Sequence, residues 1–443
     1  MFKKEIKTLS LVNIARTLSK YNDFFWFDSA SSPKTNFEDH RFSVLGFGST
    51  KTRVFSDLSD QESFCSFLRS FGPFSSSHDV LCPFFQGGWV GYISYEAYQY
   101  NKSLPKKPSY TKEYPLSVFR YYDTFFYKDF ITDKFYFISF SPQAKTIYND
   151  VLAETHKDSF TQNPFFCVTP LKKSIQNSRY KDDFSEIKKS LEKGDYLELN
   201  YTQEFVASFS GEPLSLFLEL RQKTKAPMMA FLNFPNLCIL SASPERFFNI
   251  INNEITMYPI KGTIQRGKNY VEDRENKKKL TKSKKDMAEL LMVTDMLRND
   301  LGRICQIGTV EVIDLAKAHT FTHYHHLVSK IKGLLKPGVS LENVFHALFP
   351  CGSITGAPKI NVMEHIDALE KRARGVYTGS IGLISNNGYV DFSVPIRTIT
   401  IAGTVLSYCA GGGIVIDSDC DAEYEECLVK TNDLSETIKN YRS

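Results

Sequence analysis

Short aromatic runs alternate with clusters of Ser, Pro, Asp and Gly over residues 1–165. FFWFD (24–28), FSVLGFG (42–48), FRYYDTFFY (119–127) and FYFISF (135–140) are of this kind and predict strands joined by turns. Beyond about residue 180 the texture changes. Apolar positions recur at helical spacing over 180–193, 283–298, 341–349, 358–373 and 421–439. Between them lie strand patterns at 199–209, 228–234, 237–245, 254–262, 378–385, 389–401 and 405–416. Tight turns such as Asn386-Asn387-Gly388 join several of these strands, and strict strand–helix–strand alternation is absent. The pattern predicts an α+β or mixed α/β architecture with antiparallel pairing, rather than a doubly wound parallel sheet.

The polar, Pro-punctuated stretch 161–179 reads as a seam. It divides a β-rich segment, 1–165, from a second unit, 178–443. With 443 residues, 36 Phe and 23 Tyr, the chain has ample material for a large core. The net charge of +4 argues against a nucleic-acid or membrane-surface partner. The basic run 274–285 lacks interleaved aromatics and reads as a solvated loop and helix start. No segment has the ~20 uncharged apolar residues of a membrane helix. The first 20 residues read as a strand and a helix rather than a signal peptide. Nine scattered cysteines form no CxxC pair or zinc spacing, so we expect reduced thiols and a cytoplasmic protein.

Several constellations carry candidate chemistry. Ser283 and Ser418-Asp419 each look like helix starts. The first would place Asp286 and Glu289 on one face, and the second Glu423, Glu426 and Lys430. Two such helices can hold a hard dication through oxygen ligands. From spacing alone, the same acids read rather as complements to helix dipoles. Thr355-Gly356-Ala357-Pro358-Lys359 puts Pro at a first helical position, and Gly411-Gly412-Gly413 precedes an apolar strand. Both suit main-chain contact with an anion, and both also read as plain glycine turns. Lys261 sits in a Pro- and Gly-flanked turn, where burial beside cations or a metal would lower its basicity. In solvent it would be an ordinary exposed lysine. His323-Tyr324-His325-His326 fits no zinc spacing, and at most one of these histidines is expected to act in acid–base or polar contact.

In this order the segments resemble the chorismate-utilising enzyme family. The resemblance runs over 178–443 through SASPERF (241–247), PIKGTIQRG (259–267), AELLMVTDMLRNDLGRIC (288–305), HLVSKIKG (326–333), LFPCGSITGAPKI (348–360), RGVYTGSIGLI (374–384), FSVPIRT (392–398) and AGGGIVIDSDCDAEYEECLVK (410–430). PFFQGGWVGYISYE (83–96) and FFWFDSA (24–30) are similar to the family's N-terminal part. The resemblance implies large, mostly antiparallel sheets packed together with helices outside. PIKGT at 259–263 resembles the branch that makes 4-amino-4-deoxychorismate, whereas the branches making anthranilate, isochorismate or salicylate look like PIAGT or ALAGT there.

That likeness implies a set of roles. Lys261 attacks C2 of chorismate as the C4 hydroxyl leaves, and ammonia then enters at C4. Glu245 is the acid for the departing hydroxyl, and His326 contacts the substrate near the ring. Magnesium is held by Glu289 and Glu426, with Asp286 and Glu423 as outer partners. Tyr377 and Arg397 face the enolpyruvyl carboxylate, and Thr355, Gly411, Gly412, Gly413 and Lys430 fix remaining charge. The chain lacks the glutaminase pattern, so ammonia would come from a separate glutaminase subunit. ELNYTQEF (198–205) departs from the family pattern, with Glu198 where Gln is usual and Glu204 where Arg is usual. Asn361 also replaces a usual Arg.

Overall fold

The computed structural model describes residues 1–7, 9–29, 42–74, 84–104, 111–157, 166–167 and 169–439. Among them, two large sheets pack face to face, one of 13 strands and one of 10. Every strand pair is antiparallel. The expected α+β architecture, with helices on the outside, is what the chain forms.

The aromatic runs explain the layering. In Phe24–Asp28, successive side chains point to opposite faces of the sheet. Phe24 and Trp26 pack under the helices Leu11–Leu18 and Pro213–Thr224, with Trp26 edge-on to Phe217 at 5.5 Å. Phe25 faces the other sheet and meets Tyr122 at 4.6 Å. A strand buried on both faces carries unbroken aromatics because neither face meets water. Met228–Phe234 repeats the device, with Met229 and Phe231 outward and Ala230 and Leu232 inward. On the far side of the second sheet, Gln61–Arg69, Lys284–Ile304 and Leu341–Leu348 enclose a further core around Phe64, Leu297 and Phe345.

Both sheets draw strands from both sides of the expected seam, part of which lies outside the described residues. Phe24–Asp28 pairs with Met228–Phe234, and Gly88–Ile93 pairs with Ser380–Ser385. The hairpin at Asn386–Gly388 turns as its sequence predicts, with Gly388 at φ 82°. The basic run differs from expectation. Tyr270–Lys282 is a helix, because the Asn269 side chain accepts from Glu272 N at 3.0 Å and caps it. The helix expected over 421–439 is two, Cys420–Lys430 and Asn432–Lys439, interrupted at Thr431, whose hydroxyl donates to Leu428 O. No helix among the described residues is long and apolar enough to cross a membrane.

Candidate active site

Four strands and two helices converge on one place. Glu198–Ser210 pairs with Val405–Val415 in the first sheet, and Ile260–Gln265 pairs with Tyr324–Leu334 at an edge of the second. The helices Lys284–Ile304 and Cys420–Lys430 lie against them. Their N-caps follow the sequence in part. Ser283 accepts from Asp286 N, while Asp419, not Ser418, caps the second helix. Ser418 instead donates to Glu423 at 2.7 Å.

Lys261 is aimed by a bulge. Register shifts between Lys261 and Thr263, and the extra residue, Gly262, lies at φ 65°. A side chain at 262 would also come within 2.9 Å of Asp286. Lys261 is only 13% exposed; its amine hydrogen-bonds Glu198 and lies 4.0 Å from Glu289 Oε2. Burial pushes its pKa down, yet Glu198, Glu289 and Glu245 together hold it above the usual lysine value. The expected loss of basicity is therefore absent in this arrangement, because carboxylates rather than cations surround the amine.

Glu245 is buried and accepts a hydrogen bond from Ser353 Oγ at 2.7 Å. Burial raises its pKa to about 7, against the opposing pull of Ser353 and Lys261. That suits a proton donor near neutral pH. His326 is paired in register with Thr263, whose hydroxyl lies 2.9 Å from its Nδ1. Burial, with Arg397 nearby, lowers the His326 pKa to about 3, so the imidazole is neutral. Arg397, at φ 51°, stacks over the Tyr324 ring at 5.5 Å. Of the four residues His323 to His326, then, His326 joins this group, while His325 is engaged with Asp273.

The acids of the two helices surround a second ammonium. Lys285 lies 3.3 Å from Glu423 Oε1 and is drawn further by Glu289 and Glu426. Burial raises the Glu289 pKa even though Lys261 opposes it. Burial pushes Glu426 up as well, but Lys430, at 2.8 Å, holds it below the usual range. An all-oxygen set of Glu289, Glu426, Asp286 and Glu423 has the chemistry of a hard-dication site, but among the described residues no three of these acids have their ligand atoms within 4.8 Å of one another. Among the described residues, the one trio of ligand-type atoms within 4.8 Å of one another lies elsewhere, at Cys65, Glu342 and His346, and there Arg69 already grips Glu342 at 2.6 and 2.8 Å.

The glycines and Thr355 do more packing than the sequence suggests. A side chain at Gly411 would strike the main chain of Tyr201 and Thr202, and one at Gly413 would strike Glu198. One at Gly412 would come within 3.4 Å of Glu423 and Lys430. Lys430 Nζ donates to Gly411 O at 3.4 Å. Thr355 is fully buried; its N–H donates to Gly352 O and its hydroxyl to Cys351 O. Its N–H is thus already used within its own turn. Pro358 stands at the cap of Lys359–Glu370, one position before the first turn. Tyr377 is buried, which raises its pKa while Arg374 opposes.

Sequence reasoning missed Ser353, whose only signal was its place between Cys351 and Thr355. It also missed the network of buried Glu370 and Arg374 with the partly buried Arg372, which ties Thr202 at 2.8 Å to the helix end beside Tyr377. Glu204, standing where the family pattern has Arg, pairs with Lys112 at 2.6 Å.

The family described as chorismate binding enzyme matches residues 23–436. The chain is 36% identical over 372 residues to aminodeoxychorismate synthase component 1 of Salmonella typhimurium, covering 83% of this chain and 80% of that one. It is 33% identical over 354 residues to anthranilate synthase component 1 of Saccharolobus solfataricus, covering 80% and 81%. The crystal structure of anthranilate synthase component I from Streptococcus pneumoniae superposes with a TM-score of 0.77 at 27% identity, over 88% of this chain and 91% of that one. Fold and sequence therefore define a chorismate-utilising enzyme. The chain belongs to the chorismate binding enzyme family, and its relatives include proteins named aminodeoxychorismate synthase component 1 at 35% to 37% identity.

Proposed function

We propose that the chain aminates chorismate at C4, the aminodeoxychorismate synthase reaction, giving 4-amino-4-deoxychorismate for 4-aminobenzoate and folate synthesis. The observation that carries this reading is the Lys261 amine, buried among Glu198, Glu289 and Glu245 rather than extended into water. A buried, hydrogen-bonded amine is placed to act as a nucleophile once it gives up a proton.

Chorismate carries an allylic hydroxyl, which leaves poorly unless protonated. Lys261 Nζ forms a bond to C2, the ring double bonds shift, and the C4–O bond breaks. Glu245, whose pKa burial raises to about 7, supplies from its protonated form the proton that lets the hydroxyl leave as water. Ammonia then bonds to C4 and Lys261 departs from C2. His326, neutral and fixed by Thr263, offers a polar contact beside the ring, and Arg397 a two-pronged partner for the enolpyruvyl carboxylate, near which Tyr377 also stands. Glu289 and Glu426, with Asp286 and Glu423 behind them, would hold a magnesium ion, which when bound withdraws charge from the ring through its carboxylate. A separate glutaminase subunit would supply ammonia, in keeping with relatives named as component 1.

The test is product identification from chorismate, ammonium and magnesium. We expect 4-aminobenzoate only after an aminodeoxychorismate lyase is added. Anthranilate fluorescence without any lyase would instead assign the chain to the anthranilate branch, to which relatives at 33% and 30% identity belong.

A further inference from the structure

Glu198 is the least expected residue of the site. Its main chain is clamped from both sides, against Val415 on one strand and Ala357 on another. Its side chain is 2% exposed, and its carboxylate receives the Lys261 amine. The space it fills is open because residue 413 is glycine. A side chain there would overlap Glu198 Oε1 and stand 2.9 Å from Cδ. Gly411 and Gly412 differ, since their missing side chains would meet the main chain of Tyr201 and the side-chain ends of Glu423 and Lys430 instead.

Lysine has a flexible four-carbon stem with many rotamers. Two acids compete for its amine here: Glu198 in direct contact and Glu289 at 4.0 Å. Without Glu198, the amine is free to turn toward Glu289, which stands on the opposite helix among the acids read as metal-binding. Resting on the reading of Lys261 as nucleophile, we propose that Glu198 is a positioning residue that aims the amine, and that Gly413 serves the site by leaving room for that carboxylate. Residues 198, 261 and 413 then form one mechanical unit from three separate strands.

The experiment follows covalent adduct formation on Lys261 by intact-mass spectrometry, with chorismate and magnesium present and ammonium omitted. Misplacing a reacting group by about 1 Å costs on the order of 100-fold. Glu198→Ala is therefore expected to slow adduct formation on the order of 100-fold while KM for chorismate shifts less than about threefold. Glu198→Gln keeps an acceptor oxygen for Nζ and is expected to recover to within about tenfold of the unaltered rate. Gly413→Ala is expected to slow the unaltered chain by roughly tenfold or more, but the Glu198→Ala background by less than about twofold. Circular dichroism checks folding; should Gly413→Ala not fold, the two Glu198 variants decide alone. Adduct formed by Glu198→Ala as fast as by the unaltered chain, or an equal Gly413→Ala loss in both backgrounds, overturns the proposal by itself. Absence of any adduct on the unaltered chain overturns the nucleophile reading and this proposal with it.

Discussion

The Ser353 hydroxyl donates to Glu245 Oε1 at 2.7 Å, and both residues are buried. Burial places the Glu245 pKa at about 7, while Ser353 and Lys261 both pull it downward. The acid role needs the protonated form, so kcat should fall as pH rises through about 7. Ser353→Ala removes a hydrogen bond that favours the charged form. The basic limb of its kcat profile should therefore move to higher pH. A limb that stays in place or moves down would remove Glu245 from the acid role.

Lys261→Ala deletes the nucleophile and keeps every acid of the site and Arg397 in the chain. Amination at C4 should fall on the order of 1,000-fold or more, with chorismate binding changed less than about threefold. Steady-state kinetics with saturating ammonium, alongside equilibrium chorismate binding, separate the two effects. A variant with full activity would contradict the covalent route.

Glu370 neutralises Arg374 at 2.7 Å and Arg372 at 3.3 Å, with both members of the Glu370–Arg374 pair 1% exposed. Glu370→Ala leaves these cations buried without their partner. Such losses cost about 3–5 kcal/mol, and denaturant unfolding should show it. A change below about 1 kcal/mol would mean the arginines find other partners.

His326 gives a pH dependence of stability. Its folded pKa of about 3 lies below the unfolded value of 6.5, so the unfolded chain binds the proton first. Its contribution is complete above about pH 6.5 and is lost progressively as pH falls toward 3. Between pH 8 and pH 5 the loss amounts to about 2 kcal/mol. Chemical unfolding at both values should show His326→Gln with a drop smaller by that amount.

Glutamine should support no turnover by the purified chain, while ammonium does. Addition of a glutaminase subunit should make glutamine effective. Glutamine-dependent product from the chain alone would refute the separate supply of ammonia.

Sequence by itself determined the strands of the aromatic half, because runs such as FFWFD satisfy burial on both faces of a sheet. It also determined the two acid-bearing helices, since spacing alone puts Glu289 on the face of Asp286 and Glu426 on the face of Glu423. The interleaving of 1–165 with the rest was not legible, because pairing partners such as Phe27 and Ala230 are set by long-range ladders rather than by local pattern. The same holds for the protonation of the site. Local sequence offered Lys261 only a Pro- and Gly-flanked turn, but the fold brought Glu198, Glu289 and Glu245 to it from three other parts of the chain, and electrostatics depends on distance in space. Gly413 under Glu198 is likewise set by the pairing of two strands far apart in the chain, and Ser353 on Glu245 by a contact across 108 residues.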